Sequence, residues 1–445
     1  MSFRDSMLLT VAILFLWVSM ADAATINASS CSQADVQAAV NASSTGDTVV
    51  VPAGSCTWAS AVSIPTTKKI TLQGAGMDAT IITKQTLDPP NWVALSLNQS
   101  GSRVTGVQFI DGSIVVYGTG WRIDHCKFYR ANEAGQGVIA WGTSSNSPPA
   151  GLVDHCYFHN SKAVVGGWAG LKAHGIWAKP LDLGSANAVY VEDNTYVRTV
   201  FGNVMDANYG GRYVFRYNNV TDGTIEAHSV QGNHRATRSW EIYNNTFNQK
   251  NRALWAPFFL RGGTGVVFNN IVTGKWTAPG IALDNVRSNP NGTADYGTDP
   301  GYCTGTSKWD GNVSGLSGYG CRDQIGRSTD QWLWTDSSPY PPQQLDPAYA
   351  WNNKFGTSDV VFFVHNWSTL QTVHIKEGRD YFNNTVRPGY VPYTYPHPLA
   401  LAWGTDVGTT TTPPTTTATA SPTTTEPITT TVIKVNKNPK ARFNR

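Results

Sequence analysis

Charged residues are scarce in this chain of 445 residues, since Asp, Glu, Lys and Arg together make up 14% of it. The formal net charge of +3 comes from the C-terminal tail, which has five basic residues against the single acid Glu426. The rest of the chain is close to neutral, so it lacks the basic field expected of a nucleic-acid-binding protein. Any affinity for an anionic polymer must come from a local cluster of cations. The basic residues of the tail are Lys434, Lys437, Lys440, Arg442 and Arg445.

Long apolar runs are also lacking. The longest, Met7 to Met20, falls short of the ~20 residues that a membrane-spanning helix needs. It follows Arg4 and precedes Ala21-Asp22-Ala23, which is the order of a secretory signal peptide. We therefore predict that residues 1–23 are a signal peptide and that the protein is secreted, with no membrane span.

The cysteines show no CxxC or CxxH spacing that would indicate zinc. All of them follow the signal peptide, which suits an oxidising compartment. Cys126 and Cys156 lie in matching contexts, and the sequence leaves open whether they are stacked core thiols or a disulfide. The disulfides that we expect are Cys31–Cys56 and Cys303–Cys321.

The composition divides the chain into a domain and a tail. Residues 408–433 are almost wholly Thr, Pro, Ser and Ala, a composition that cannot form a core and is typical of a linker. Residues 434–445 form a short basic tail. We predict one domain over residues 24–407, with its repeats clearest at 103–290 and a loop-rich region at 291–407.

The domain contains an internal repeat. Six segments alternate apolar residues and then place a small polar or sulfur-bearing residue two positions before the last apolar one. The later intervals of 24, 27 and 25 residues fit one coil of a parallel β-helix, with a recurring Asn as a hydrogen-bonded ladder. An antiparallel sandwich would need hairpin turns every ~8–12 residues, and few are visible. The key positions are Cys126, Cys156, Asn194, Asn218, Asn245 and Asn270.

The start of the domain fits this interpretation. SQADVQAAVNASSTGDTVVVPAG (32–54) predicts a helix capped by Ser32, then a turn and a buried strand, and such a helix commonly covers the open end of a solenoid. Together with the coils containing IDHC and VDHC, this segment resembles the pectate-lyase-like superfamily over roughly residues 30–290. The resemblance implies an all-β fold, a right-handed parallel β-helix with an N-terminal capping helix. It leaves activity open, because that superfamily includes lyases, hydrolases, esterases, epimerases and adhesins.

Acidic residues recur at equivalent positions of two adjacent coils. MDAN (205–208) and IEAH (225–228) align, which puts Asp206 beside Glu226 and Asn208 beside His228. Neighbouring strands lie ~4.8 Å apart, so the carboxylates would repel unless a cation or a shared proton intervenes. The pair is therefore a candidate calcium site or a coupled acid pair. Alternatively, one acid caps a turn or pairs with an arginine, Arg212 or Arg216.

Cations and aromatic residues accompany these acids. We predict catalytic roles for His228, Arg238, His234 and Arg235, and substrate binding by Asn208 and Arg261. Tryptophans offer flat faces on which sugar rings stack, although several must instead pack in the core. The tryptophans that we predict to bind substrate are Trp168, Trp177 and Trp255.

A more local resemblance covers one coil. GTIEAHSVQGNHRATRSWEIYNNTF (223–247) is similar to the active-site coil of the alginate lyase and chondroitinase B family. The resemblance implies that Glu226 is a calcium ligand, that His228 takes the place of the lysine base, and that Arg238 assists. This chain departs from the family in having no lysine at that position.

These observations predict a monomeric polysaccharide lyase that cleaves an acidic, uronic-acid-containing polymer, with calcium as a candidate cofactor. One alternative is a glycoside hydrolase that uses Asp206 and Glu226, although the Asn-Thr-Asp, Asp-Asp and Gly-His-Gly signatures of polygalacturonase-type hydrolases are missing as a set. Another is a non-catalytic carbohydrate-binding adhesin.

Overall fold

The alternating segments of the repeat form short strands that stack coil upon coil. The computed structural model describes residues 23–85, 92–98, 101–144, 147–167, 180–229, 235–285, 315, 320–327, 344–365 and 373–403. The chain divides into two units, Met1–Gly404 and Thr405–Arg445, and every described residue belongs to the first. Within the described ranges, no helix is long and apolar enough to cross a bilayer.

The strands belong to three sheets, each collecting one strand from successive coils. The first sheet consists, in spatial order, of β1 (Thr25–Asn27), β2 (Thr48–Val51), β5 (Thr71–Gly74), β8 (Arg103–Thr105), β11 (Thr119–Asp124), β14 (Ala150–Asp154), β17 (Val189–Glu192), β20 (Arg212–Arg216), β23 (Ser239–Tyr243), β26 (Thr264–Phe268), β29 (Ala348–Trp351) and β33 (Tyr381–Asn383).

The second sheet consists of β3 (Gly54–Trp58), β6 (Thr80–Lys84), β9 (Gln108–Ile110), β12 (Lys127–Tyr129), β15 (Tyr157–His159), β18 (Thr195–Val197), β21 (Asn219–Thr221), β24 (Thr246–Leu254), β27 (Ile271–Trp276), β30 (Lys354–Phe355) and β31 (Ser358–Asp359). The third consists of β4 (Val62–Ile64), β7 (Val93–Leu97), β10 (Ser113–Tyr117), β13 (Gly135–Trp141), β16 (Ser161–Gly166), β19 (Asn203–Asn208), β22 (Thr224–Ala227), β25 (Phe258–Leu260), β28 (Ile281–Leu283) and β32 (Phe362–Val364).

Pairing between coils is parallel, as the repeat predicts. Strand β20 pairs with β23 in parallel, with Tyr213 opposite Trp240. Among the described strands, only β30 and β31 pair antiparallel. The fold is therefore a right-handed parallel β-helix, and the prediction of fold class is confirmed.

A ladder of asparagines joins the coils at one turn. The side-chain amide of Asn194 donates to Asn218 Oδ1 at 3.0 Å, and that of Asn218 donates to Asn245 Oδ1 at 3.1 Å. Asn245 donates in turn to Asn270 at 2.9 Å, and Asn270 to Asn353 at 2.8 Å. All of these side chains are buried, so each amide satisfies backbone and side-chain groups that would otherwise lack partners.

The core is filled by side chains of equivalent positions in successive coils. Phe128 stacks on Phe158 with ring centroids 4.9 Å apart, and Phe158 stacks on Tyr196 at 4.5 Å. Cys126 and Cys156 are buried free thiols, which resolves the alternative left open by the sequence.

The predicted disulfide between Cys31 and Cys56 is present. Cys321 is also disulfide-bonded, whereas Cys303 lies outside the described residues.

A helix lies where the N-terminal segment predicts one. It spans Gln33–Ala42, and the hydroxyl of Ser32 accepts a hydrogen bond from the backbone N–H of Asp35. The helix buries Val36, Ala39 and Val40 against the first strands. Its role as an end cap stays an expectation.

The coils continue beyond the region where the repeat is clear in the sequence. Strand β29 adds to β26 in the first sheet, and β32 adds to β28 in the third. In the sequence, β28 ends at Leu283 and β29 begins only at Ala348. Because this interval is much longer than one coil, the period is hidden in the sequence after residue 290.

The last described residues lie across the outer face of the first sheet. We call residues 389–403 the strap; it includes a short helix, Pro398–Ala402. Arg216 in β20 pairs with Glu192 at 2.6 Å and donates to the carbonyl oxygens of Tyr393 and Thr394. The strap therefore covers the outer face of the first sheet around Arg216.

Candidate active site

The outer face of the third sheet changes from apolar to charged along its length. Register places Val164 opposite Asp206, and Met205 opposite Ile225, so Asp206 and Glu226 lie on neighbouring strands. Inward positions such as Ala207 and Ile225 belong to the core, which directs the alternate side chains outward. The alignment of MDAN with IEAH thus predicted the register correctly.

Three potential ligand or proton-transfer groups meet on this face. One ligand atom each of Asp206, Glu226 and His228 lies within 4.8 Å of the others. Lys162 and Arg261 bring two cations to the same place. We call these five residues the charged cluster; they come from β16, β19 and the ends of β22 and β25.

Asp206 is the best-satisfied acid of the cluster. Its Oδ1 lies 2.6 Å from His228 Nδ1, and its Oδ2 accepts a hydrogen bond from Lys162 Nζ at 2.9 Å. Burial alone would raise the pKa of Asp206, but His228 and Lys162 outweigh it and hold that pKa well below its usual range. Asp206 therefore stays ionised and orients the imidazole of His228.

Glu226 has its own partners. Arg261 forms an ion pair with Glu226 Oε1, and the amide of Asn203 donates to Oε2 at 2.6 Å. The side chain is one quarter exposed, so it is more accessible than Asp206. The two carboxylates are thus held close together by separate cations, Lys162 on one and Arg261 on the other.

Lys162 was not predicted from the sequence. It lies on β16, one coil before Asp206, in the segment SKAVVG, where a lone lysine precedes an apolar run. A signal existed in principle, because an outward lysine at the edge of a core strand stands out in a chain poor in charge. The unusually long interval of 38 residues between Cys156 and Asn194 hid the alignment of this strand with β19.

Several residues predicted to act with His228 lie elsewhere. Arg235 is buried and forms a double hydrogen bond with Asp323, both at 2.6 Å. Arg238 has 0% exposure and precedes β23 in the first sheet. Its charged neighbours include Asp346, and burial lowers its pKa well below the usual value.

Other predicted residues are described only in part. His234, Trp168 and Trp177 lie outside the described residues. Asn208 is half-buried on β19, and its Oδ1 is a buried oxygen without a hydrogen-bond partner among the described residues. Arg261, which was predicted to bind substrate, lies in the charged cluster and pairs with Glu226.

Aromatic side chains lie on both sides of the cluster. Upstream, Trp141 meets Tyr209 edge to face at 5.6 Å. Downstream, Trp255 contacts Phe259 at 5.5 Å and Phe363 at 5.7 Å. From β13 to β32 the sheet crosses six strand spacings, or ~29 Å at ~4.8 Å each, so the outer face offers aromatic surfaces along an extended path.

The cluster offers oxygen donors to a metal ion, but its oxygens are already engaged. Calcium takes 6–8 oxygen ligands, and Asp206, Glu226 and Asn208 could provide some of them. In this arrangement Lys162 and His228 occupy both oxygens of Asp206, while Arg261 and Asn203 occupy both of Glu226. A calcium ion bound here would have to share these oxygens with the present donors or displace them.

No known family model matches the sequence, and no curated protein matches it. Solved structures resemble it at low identity. An alginate lyase from Paenibacillus sp. str. FPU-7 is 11% identical with a TM-score of 0.43, covering 76% of this chain and 97% of its own. The catalytic domain of a GH87 alpha-1,3-glucanase in complex with tetrasaccharides is 11% identical with a TM-score of 0.33, covering 82% and 68%.

Proposed function

We propose that this protein is a secreted enzyme that cleaves a uronic-acid-containing polysaccharide by β-elimination at the charged cluster. The observation that carries the proposal is the contact between His228 and Asp206 on an outer face where Lys162 and Arg261 also lie. This arrangement combines a candidate base with cations on one side of the sheet.

The reaction makes three demands on such a site. The charge that develops on the sugar carboxylate must be offset, the proton on C5 must be removed, and the C4 oxygen must leave with its bonding electrons. As the C5–H bond breaks, its electrons form the C4–C5 double bond while the C4–O bond breaks. The departing oxygen takes a proton from water or from an acid.

His228 is the proposed base. The carboxylate of Asp206 accepts the proton on Nδ1, so Nε2 carries the lone pair that can receive the C5 proton. Lys162 and Arg261 are the proposed cations that offset charge on the substrate. They replace Arg238 in this role, because Arg238 is buried at the start of β23 in the first sheet, whereas Lys162 and Arg261 pair with the acids on the outer face of the third sheet.

The test is substitution of His228 by Ala, assayed on pectin, alginate, glucuronan and glycosaminoglycans by ultraviolet absorbance of the unsaturated product. Turnover should fall by ~10²–10⁴-fold, as expected for loss of a general base. The matched control is His155→Ala, since His155 is also a partly exposed histidine bonded to an aspartate, Asp154. If His228→Ala kept full activity and His155→Ala lost it, the catalytic centre would lie at the VDHC coil instead.

A glycoside hydrolase is the second candidate, because the ligand atoms of Asp206 and Glu226 lie within 4.8 Å of one another. Retaining enzymes hold their two carboxyl groups ~5–5.5 Å apart. A hydrolase also needs one carboxylic acid with a raised pKa, whereas His228 and Lys162 hold that of Asp206 low. New reducing ends without unsaturated product would establish hydrolysis, and binding without turnover would indicate an adhesin.

Calcium binding by Asp206 and Glu226 remains a separate proposal. If calcium is required, a chelator should abolish activity and added calcium should restore it. Activity that persists in chelator would leave Lys162 and Arg261 as the charge-neutralising groups.

A further inference from the structure

Two buried arginines lie at the turn between the second and third sheets. Arg130 follows β12, and Arg198 follows β18, two coils further along. Arg130 is 4% exposed and Arg198 is 1% exposed. Because both guanidinium groups carry charge, their burial needs compensation from nearby acceptors.

That compensation is incomplete within the described part of the chain. Arg198 donates to the carbonyl oxygen of Phe201 at 3.3 Å, while its Nε and Nη1 are buried without a partner. Arg130 reaches Glu133 and the carbonyl oxygen of Asp111 only at 3.5 Å, and its Nε is also unpartnered. Burial, with a smaller contribution from Arg252, lowers the pKa of Arg198 to about 10.

A cavity of ≈ 320 Å³ opens beside these groups and is lined by both arginines, Lys162, Asn203 and Glu133. Glycines beside the two guanidinium groups leave space that a side chain would fill. A Cβ at Gly135 would lie 1.8 Å from Arg130 Nε, and one at Gly202 would lie 1.9 Å from Arg198 Nη2.

We propose that this cavity binds the carboxylate of a uronic acid unit of the polysaccharide, next to the unit held at the charged cluster. Guanidinium groups present paired N–H donors that match the two oxygens of a carboxylate. The cavity adjoins the charged cluster, because Lys162 also contacts Asp206 and Asn203 also contacts Glu226. The inference rests on the proposed function for its substrate and deepens it by assigning a second anion-binding position.

The test measures binding of sodium glucuronate, glucose and sodium sulfate to the full-length protein by calorimetry at constant ionic strength. The wild type should bind glucuronate and not glucose. Arg198→Met removes the charge and should weaken glucuronate binding by ~10-fold or more, since it removes charge-assisted hydrogen bonds. Gly135→Ala should weaken it through the steric clash with Arg130, which keeps the test informative if Arg198→Met fails to fold.

Two further variants test whether a negative charge at the cavity weakens glucuronate binding. Glu133→Gln should tighten glucuronate binding, because Glu133 is an exposed acid at the cavity that competes for Arg130. Glu377→Gln, an exposed acid that does not line the cavity, should leave binding unchanged. Equal binding of glucuronate by the wild type, Arg198→Met and Gly135→Ala would overturn the proposal, and binding of sulfate without glucuronate would mean an adventitious ion only.

Failure of this proposal can be told from failure of the proposed function. If His228→Ala abolishes turnover while Arg198→Met leaves KM unchanged, the proposed second carboxylate-binding position is wrong and the proposed lyase activity is supported. If no polymer is cleaved but glucuronate binding still depends on Arg198, the carboxylate-binding cavity is supported and the proposed lyase activity is wrong.

Discussion

At the scale of single residues, Asp206 is the group that holds both His228 and Lys162 in the charged cluster. It fixes the ring of His228 and anchors Lys162, with both contacts under 3 Å. Replacing this buried carboxylate by an amide removes the charge that holds both partners. Asp206 should therefore act as a positioning residue for the proposed base.

We expect Asp206→Asn to lower kcat by ~10²-fold or more while KM changes little, because the base loses its orientation and the substrate contacts remain. Steady-state kinetics on the cleaved polymer, with a circular-dichroism spectrum as the check on folding, measure this. Asp206→Glu should recover part of the activity. An unchanged kcat in Asp206→Asn would separate Asp206 from catalysis.

A second buried acid, Glu241, should make stability depend on pH. It lies beneath the strap and accepts hydrogen bonds from Tyr390 Oη at 2.5 Å and from the backbone N–H of Gly184 at 3.0 Å. Burial raises the pKa of Glu241 from 4.5 to about 7 despite these donors. The folded protein thus binds this proton more tightly than the unfolded chain does.

The contribution of Glu241 is therefore fully present below about pH 4.5 and is lost as the pH rises to about 7. The loss should be about 3 kcal/mol, at 1.36 kcal/mol per pKa unit. Glu241→Gln keeps a polar group of the same size without the titration. The difference in Tm between wild type and Glu241→Gln should change across this range, and a constant difference would contradict the assignment.

At the scale of elements, the asparagine ladder should contribute more to stability than its small side chains suggest. Asn245 accepts from the backbone and side chain of Asn218 and donates to Asn270 and two carbonyl groups. Asn245→Ala would leave buried donors of Asn218 unsatisfied, at ~1–3 kcal/mol for each such group.

We expect urea unfolding of Asn245→Ala to show a loss of at least ~2 kcal/mol. The matched control is Asn219→Ala, since Asn219 adjoins Asn218 in sequence but is exposed, and it should stay within ~0.5 kcal/mol of wild type. Equal effects of the two substitutions would remove the ladder as a source of stability.

The part of the site that could be predicted from the sequence is the part in which the strands of adjacent coils align. Strand alternation fixes which side chains point outward, so the closeness of Asp206 and Glu226 followed from the alignment of MDAN with IEAH. Arg238 was grouped with His228 because the two are close along the chain, although residue 238 precedes a strand of the first sheet. Lys162 was missed because the 38-residue interval between Cys156 and Asn194 concealed which strand precedes β19 in the third sheet.

At the scale of the whole molecule, the strap should be necessary for the stability of the first sheet. It provides acceptors for buried arginines, as when Arg216 donates to Tyr393 and Thr394, and a donor for Glu192 from the backbone of His397. Removing the strap would expose an outer face that contains charges arranged for burial.

A chain truncated after Arg387 should therefore melt at a clearly lower temperature and be cut faster by protease than the full chain. The control is truncation after Gly404, which removes only the second unit, Thr405–Arg445. That shorter deletion should leave Tm unchanged. Equal Tm values for both truncations would show that the strap contributes little.

The asparagine ladder has a consequence for how such a gene can change in length. Asn218 and Asn245 make the same contacts one coil apart, so the segment between them is a self-contained unit whose two ends match. An in-frame duplication of the 27 codons from one asparagine to the next would insert a coil whose edges pair with both neighbours. Unequal crossing-over at such a segment could lengthen the outer face of the third sheet by one strand spacing in a single event.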